Sequence, residues 1–172
     1  MNNKYDFTII IPAYNEEELI ESTMENVNNA IPVNKTAEII LINDYSEDNT
    51  GDIMERISSL NEYASVIHNK SNKNLGGSYK VGVKRAQGNY VIMIPGDNSF
   101  SSNSIKEILE ASGEADIVVQ VHKNLNEFRS FSRTIISKLF TLIINVTFRL
   151  DVPYYNGIVL HKRSKLNSIR LN

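Results

Sequence analysis

Asn89-Tyr90-Val91-Ile92-Met93-Ile94-Pro95-Gly96-Asp97-Asn98-Ser99-Phe100 is the stretch that sorts this chain into a fold class. Tyr90–Ile94 is apolar and rich in β-branched residues, and Pro95-Gly96 closes it. A run of this kind reads as a central parallel strand covered on both faces. Whatever follows such a strand lies at its carboxyl end, where open α/β sheets bind ligands. Asp97 is delivered to that end. It has two readings there: a carboxylate that holds a divalent cation on a diphosphate, or a cap on the helix that follows.

The same alternation extends in both directions. Phe7–Ile11 is a strand stopped by Pro12, and Leu19, Ile20, Thr23, Met24, Val27 and Ile31 then recur at helical spacing. Ala37–Asn43 reads as a second strand ending in Asp44, followed by a helix with Ile53, Met54, Ile57 and Leu60 inward. Val66–Asn69 is a brief third strand. Lys70–Ser78 reads as a loop ahead of a helix through Tyr79, Gly82, Val83 and Ala86. Ser104 and Glu107 form a capping-box pattern for the next helix, and Ile117–Val121 is a fifth strand. Strands alternating with amphipathic helices predict a Rossmann-like three-layer α/β/α fold with a mostly parallel sheet. No repeat or low-complexity linker interrupts the chain, so residues 1–172 are expected to form one domain.

Four stretches that are polar, or rich in glycine or proline, each follow a strand: Pro12–Glu16, Asn43-Asp44, Asn72–Gly77 and Pro95–Asn98. All four therefore converge on one edge of the sheet, which predicts a binding site. An ionised Asp44 accepts hydrogen bonds from a base or ribose. Backbone groups of Pro12–Tyr14 can line a nucleobase slot, with the Tyr14 ring as a wall. Gly76-Gly77 either lets backbone approach a ligand or serves as a loop hinge. The G-x-G-x-x-G dinucleotide fingerprint and the P-loop are both absent, which argues against NAD and P-loop chemistry. His68, His122 and His161 show no metal-ligand spacing, and the absence of cysteine excludes disulfides and thiolate catalysis.

These residues resemble a family. I-I-I-P-A-Y-N-E (9–16), L-I-N-D-Y-S-E-D-N-T (41–50), N-L-G-G-S-Y-K-V-G-V-K-R-A-Q-G-N-Y-V (74–91) and I-P-G-D-N (94–98) are similar, in order, to the family 2 glycosyltransferases of GT-A fold. The chain most resembles the polyprenyl-phosphate sugar transferases of the dolichol-phosphate mannose synthase type. The resemblance implies a nucleoside-diphosphate sugar donor, Mg²⁺ or Mn²⁺, and inversion at the anomeric carbon. It assigns Pro12, Ala13, Tyr14, Glu16, Asp44, Gly76, Gly77 and Asp97 to the donor, and Asp97 with Asn98 to the metal. Pro95 stands where the family's Asp-x-Asp motif has its first Asp. Asn43-Asp44-Tyr45-Ser46 stands for Asp-Asp-Gly-Ser, and His122-Lys123 for an arginine.

The last third has a different character. Residues 1–121 carry 18 acids and 9 Lys or Arg, whereas 122–172 carry 2 and 9, giving −9 and +7. Arg129–Leu150 contains no acid and reads as a long amphipathic helix, either lying in a membrane interface or packed on the sheet. Its longest uncharged run, Leu139–Phe148, is far short of the roughly 18 apolar residues of a membrane span. Ser132-Arg133-Thr134-Ile135-Ile136-Ser137 is similar to the segment that sits near the lipid phosphate in the polyprenyl-phosphate relatives. The resemblance therefore makes Arg133 and Asp97 the residues at the chemistry, and His122, Lys123, Arg133, Ser137 and Asn156 the acceptor-binding set. The family's Glu-Asp base pair does not occur before Asn172, which fits either an acceptor phosphate that is already ionised or a shortened chain.

Two functions are thus expected. One is an inverting transferase using a polyprenyl-phosphate or glycan acceptor at the cytoplasmic membrane face, peripheral and homo-oligomeric, with no nucleic acid partner. The other is a non-catalytic GT-A module that binds a nucleotide-sugar or a partner protein. Residues 1–121 are the nucleotide-sugar-binding part and 122–172 the acceptor- or membrane-facing part. The N-terminus enters a strand too early for a signal peptide, so a cytoplasmic location is expected.

Overall fold

The structure, a computed structural model, describes residues 4–121, 131–153, 155 and 157–169, with side chains in the last long helix described from residue 135. Strands β1 (Tyr5–Ala13), β2 (Ala37–Asn43), β3 (Ala64–His68) and β4 (Gly88–Met93) alternate with helices α1 (Ile20–Ala30), α2 (Thr50–Ser59) and α3 (Asn74–Arg85). Then follow α4 (Ser102–Glu110), β5 (Ile117–Val119), α5 (Phe131–Phe148), β6 (Val159–Lys162) and the single turn α6 (Arg163–Leu166). The sheet order is β3-β2-β1-β4-β6-β5. β1 to β4 are parallel, and β6 runs antiparallel to β4 with Tyr90 opposite Lys162. The expected α/β class with a mostly parallel sheet is what forms.

β1 and β2 explain why the sequence takes this shape. Phe7–Ala13 and all seven residues of β2 are buried, as strands covered on both faces must be. The strand pleat sends Ile10, Ile40 and Ile42 to one face, where they cluster with Val83 of α3, Ala86 just after it, Val91 of β4 and Leu166 of α6. Gly82 lets α3 settle there, because a Cβ at that position would come within 2.6 Å of the Ile10 side chain. The buried Glu38 carboxylate accepts from Thr8 Oγ1 and Gln87 N, and Thr8 Oγ1 accepts from Gly88 N at 2.9 Å. A buried carboxylate with donors of this kind avoids the large cost of an unpaired charge.

Two local expectations are corrected. The capping residue of α4 is Ser101, whose hydroxyl accepts from Ser104 N, so the helix opens three residues before the Ser104–Glu107 pattern. Gly76 and Gly77 belong to the first turn of α3 and not to a loop. The chain divides into two compact units, Met1–Val118 with Val159–Asn172, and Val119–Ile158. β6 and α6 thus belong to the same unit as β1 to β4.

The second unit is built on α5. Asn145 ties the returning chain to this helix: its Nδ2 donates to Val152 O at 3.0 Å, and its Oδ1 accepts from Tyr155 OH at 2.6 Å. Phe140 meets Tyr155 edge-on with ring centroids 6.3 Å apart. Among the described residues no helix is long and apolar enough to cross a membrane.

Candidate active site

A cavity of about 360 Å³ opens at the carboxyl ends of β1, β2 and β4. β1 and its turn contribute Pro12, Ala13, Tyr14 and Glu16. β2 contributes Asp44, the segment after β3 contributes Asn72, Asn74 and Leu75, and β4 contributes Pro95, Gly96 and Asp97. The order β3-β2-β1-β4 puts the topological switch between β1 and β4, where such sheets bind ligands. Backbone bonds fasten the rim: Asp44 N to Ala13 O and Gly96 N to Pro12 O, both 2.9 Å.

The turn after β1 is laced to the turn after β2. Asn15 N donates to Ser46 Oγ at 3.0 Å, Glu47 N to Asn15 Oδ1 at 2.9 Å, and Glu16 N to Thr50 Oγ1 at 2.8 Å. Asn15, Tyr45, Asn74 and Asn98 all have left-handed backbone, with φ between 55° and 70°. L-residues rarely adopt this region, asparagine excepted, and such positions collect at functional sites. Asn74 lines the cavity, and each of the other three adjoins a residue that does.

Asp44 is almost fully buried at 4% exposure. Its Oδ1 accepts from Asn69 Nδ2 at 2.7 Å and from Lys73 N at 2.9 Å. Asn69 Nδ2 also donates to Ser78 Oγ at 2.9 Å, and both residues are buried. Asp97 is exposed, and its Oδ1 accepts from Ser99 N at 3.1 Å. It does not cap α4, since Ser101 does, and that reading of the sequence falls away. Burial, then the charges of Asp97 and Asp48, push the Glu16 carboxyl above the ordinary range. Negative charge is therefore in excess on the Asp97 side of the cavity, and a cation would relieve it.

The other expected positions divide. Gly76 and Gly77 do not line the cavity; Leu75 and Asn74, just before them, do. Asn98 faces α1, with Oδ1 accepting from Asn26 Nδ2 at 2.7 Å and its N donating to Thr23 Oγ1. That oxygen is thus engaged with α1. Arg133 and Ser137 lie on α5, and the Arg133 side chain is outside the described residues. His122, Lys123 and Asn156 are outside them as well. Asn72 and Asn74 fall within the Asn72–Gly77 stretch expected on the rim, whereas Asn69, which supports Asp44, ends the third predicted strand and carries no such expectation.

Among the described residues no three His, Asp or Glu side chains gather into a metal-binding group. Asp97 nonetheless retains an oxygen with no partner among the described residues. One such carboxylate suits Mg²⁺ or Mn²⁺ when diphosphate and water supply the remaining ligands.

The sequence profile of the family described as Glycosyl transferase family 2 matches residues 8–167. The chain belongs to that family. It is 28% identical over 113 residues to the undecaprenyl-phosphate mannosyltransferase of Micrococcus luteus, covering 64% of this chain and 45% of the relative. The mannosyltransferase PcManGT from Pyrobaculum calidifontis, solved with GDP-Man and Mn²⁺, superposes with a TM-score of 0.67 at 16% identity. That match covers 95% of this chain and 46% of the other. TarS 1-349 of S. aureus, solved with UDP-GlcNAc, gives 0.66 at 20% identity over 95% and 47%. The fold of this family 2 chain is therefore GT-A. The chain spans about half the length of the curated relatives it matches.

Proposed function

We propose that this chain transfers a sugar, with inversion, from a nucleoside-diphosphate sugar to polyprenyl phosphate at the cytoplasmic face of a membrane. The observation that carries the reading is the cavity itself, with a pinned Asp44 at one strand end and Asp97 at another. Asp44 holds the nucleoside as a hydrogen-bond acceptor. The backbone of Pro12–Tyr14 lines the slot and the Tyr14 ring, 45% exposed, closes one wall. Asp97 holds the divalent ion, whose chemistry is to offset charge developing on the leaving diphosphate. Pro95 in place of a second carboxylate leaves that ion to Asp97, diphosphate and water.

The acceptor phosphate is ionised at neutral pH and needs no base to attack. Arg133 and Ser137, with His122, Lys123 and Asn156, are assigned to it on the family resemblance. The acid-free α5 segment and its basic flanks favour peripheral attachment to an anionic surface. The Micrococcus luteus relative, by its name a transferase to a polyprenyl phosphate, supports this acceptor class.

A transfer assay tests the proposal. Labelled UDP- and GDP-sugars are offered with Mn²⁺ to the chain and to undecaprenyl phosphate in vesicles. Labelled lipid should form, and both EDTA and Asp97→Asn should abolish most of it. Donor binding without turnover on lipid or soluble glycan acceptors would instead establish a non-catalytic module, in which Pro95 marks loss of the metal site.

A further inference from the structure

We infer that His68 and Asn43 are positioning residues for the donor cavity: the neutral His68 ring holds the Asn43 carboxamide, Asn43 holds the turn at Ser46, and protonation of His68 releases that turn and weakens donor binding. This rests on the cavity being the donor site, and adds how pH regulates it.

Asn43 ends β2 and His68 ends β3, and the parallel register sets them opposite each other. Asn43 is 8% exposed, and its Oδ1 accepts from Ser46 N at 2.9 Å. A backbone N–H can only donate, so the carboxamide has one orientation. Its Nδ2 therefore faces His68 Nδ1 at 3.1 Å, which must be the bare, accepting nitrogen. The ring proton then lies on Nε2 and is donated to Glu55 Oε1 at 2.8 Å. Gly51, in the first turn of α2, leaves room for this pair. A Cβ there would come within 2.6 Å of Asn43 Nδ2 and 3.3 Å of His68 Cε1. Glu55 is the charged group that meets the ring. Asp52, next to Gly51, and Lys70, two residues beyond His68, make no hydrogen bond or ion pair with it among the described residues.

Ser46 carries the restraint to the cavity. Its Oγ accepts from Asn15 N at 3.0 Å, and Asn15 Oδ1 accepts from Glu47 N at 2.9 Å. Asn15, with φ at 56°, stands between Tyr14 and Glu16, and both of these line the cavity. Asp44, the neighbour of Asn43, lines it as well.

The His68 side chain is 47% exposed, so protons from solvent reach it. A second ring proton turns Nδ1 into a donor that faces the Asn43 NH₂. Turning the carboxamide would pair its oxygen with the imidazolium and set the NH₂ against Ser46 N–H. Swinging the ring outward would leave Asn43 Nδ2 without its partner. Either response removes a hydrogen bond from the chain that ends at Asn15. Asn43→Asp has no such conflict, because one carboxylate oxygen accepts from Ser46 N and the other from the charged ring.

Calorimetry on the full chain with Mn²⁺ and either UDP-GlcNAc or GDP-Man, from about pH 8 to about pH 5, tests this, since histidine charges in that range. Nucleotide-sugars are used because a free nucleoside diphosphate has a terminal phosphate that itself titrates near about pH 6. Glu16, held above the ordinary carboxylate range, also takes up a proton as pH falls, so the comparison between proteins carries the result. Over this span the native affinity should fall roughly three- to tenfold more than that of His68→Gln or Asn43→Asp, the order of one hydrogen bond. His68→Gln keeps an acceptor for Asn43 and cannot charge. Melting temperatures at each pH separate this from unfolding. Parallel profiles for the native protein and both variants overturn the inference while leaving the donor site in place. A profile flattened by His68→Gln and not by Asn43→Asp also overturns it, because the ring would then act without Asn43. Failure of both nucleotide-sugars to bind at any pH overturns the donor site and this inference with it.

Discussion

Ile9, Ile10 and Ile11 of β1 are fully buried, whereas Ile135, Leu139, Leu142 and Val146 of α5 stand 49–70% exposed. In sequence the two stretches look equally apolar. The strand residues lie between β2 and β4 with no exposed surface, and their burial holds the sheet together. The α5 residues remain available to an apolar medium or a partner, which suits a segment proposed to lie on a membrane. Apolar character alone therefore says that a residue avoids water, and nothing about what it avoids water with.

The largest expected effect tests the sheet side of this contrast. Ile42→Ala removes a fully buried side chain from the cluster and should cost about 2–5 kcal/mol in urea unfolding. Leu142→Ala on α5, 58% exposed, should change stability by under about 0.5 kcal/mol. Equal losses would show that α5 is covered in solution and would break the comparison.

Next comes the rim, where burial serves binding. Asp44→Ala should weaken UDP binding by about 1.5–3 kcal/mol, the worth of a hydrogen bond to a charged group. Unchanged calorimetric affinity with an intact circular dichroism spectrum would remove Asp44 from the site.

The α5 side is sharpened by vesicle flotation. A basic residue near an anionic surface contributes about 1 kcal/mol, so attachment through Arg129, Arg133, Lys138 and Arg149 should be weak and salt-sensitive. Arg129→Glu with Arg133→Glu should release the protein from anionic vesicles at low salt. A protein that never floats, even at low salt, points to a soluble glycan acceptor.

The smallest effect is a pH dependence within the sheet unit. Tyr79 OH meets His161 Nδ1 at 3.2 Å. Burial holds the His161 imidazole below its usual value and pushes the Tyr79 hydroxyl up to about 12. The unfolded histidine, with an ordinary value near 6.5, therefore binds protons more readily than the folded one. Stability from this pair should be fully present above about pH 6.5 and lost as pH falls through the folded value. His161→Gln should flatten that part of the stability profile measured between pH 8 and pH 5, and an unaltered slope would show that other groups set it.

Much of the rim was legible because it rests on chain order. Pro12, Ala13, Tyr14, Glu16, Asp44 and Asp97 were placed together by noting which residues follow strands, and they line one cavity. The same chain order also brings Asn98 and the Gly76-Gly77 pair to this rim, yet they are not among the residues that line the cavity, because that depends on which way a turn faces. Asn98 is claimed by Asn26 and Thr23, 72 and 75 residues earlier in the chain, and no local pattern announces that.

The sequence by itself determined the alternation of strands and helices, the family and the edge on which the site lies. These follow from short-range periodicity and from turn formers at strand ends. Only the tertiary structure decided the antiparallel return of β6 to the sheet, the inward turn of Asn98, and the two donors that fill Asp44 Oδ1. Each of these depends on contacts between residues 25 or more positions apart, whose partners are chosen by packing rather than by neighbours in the chain.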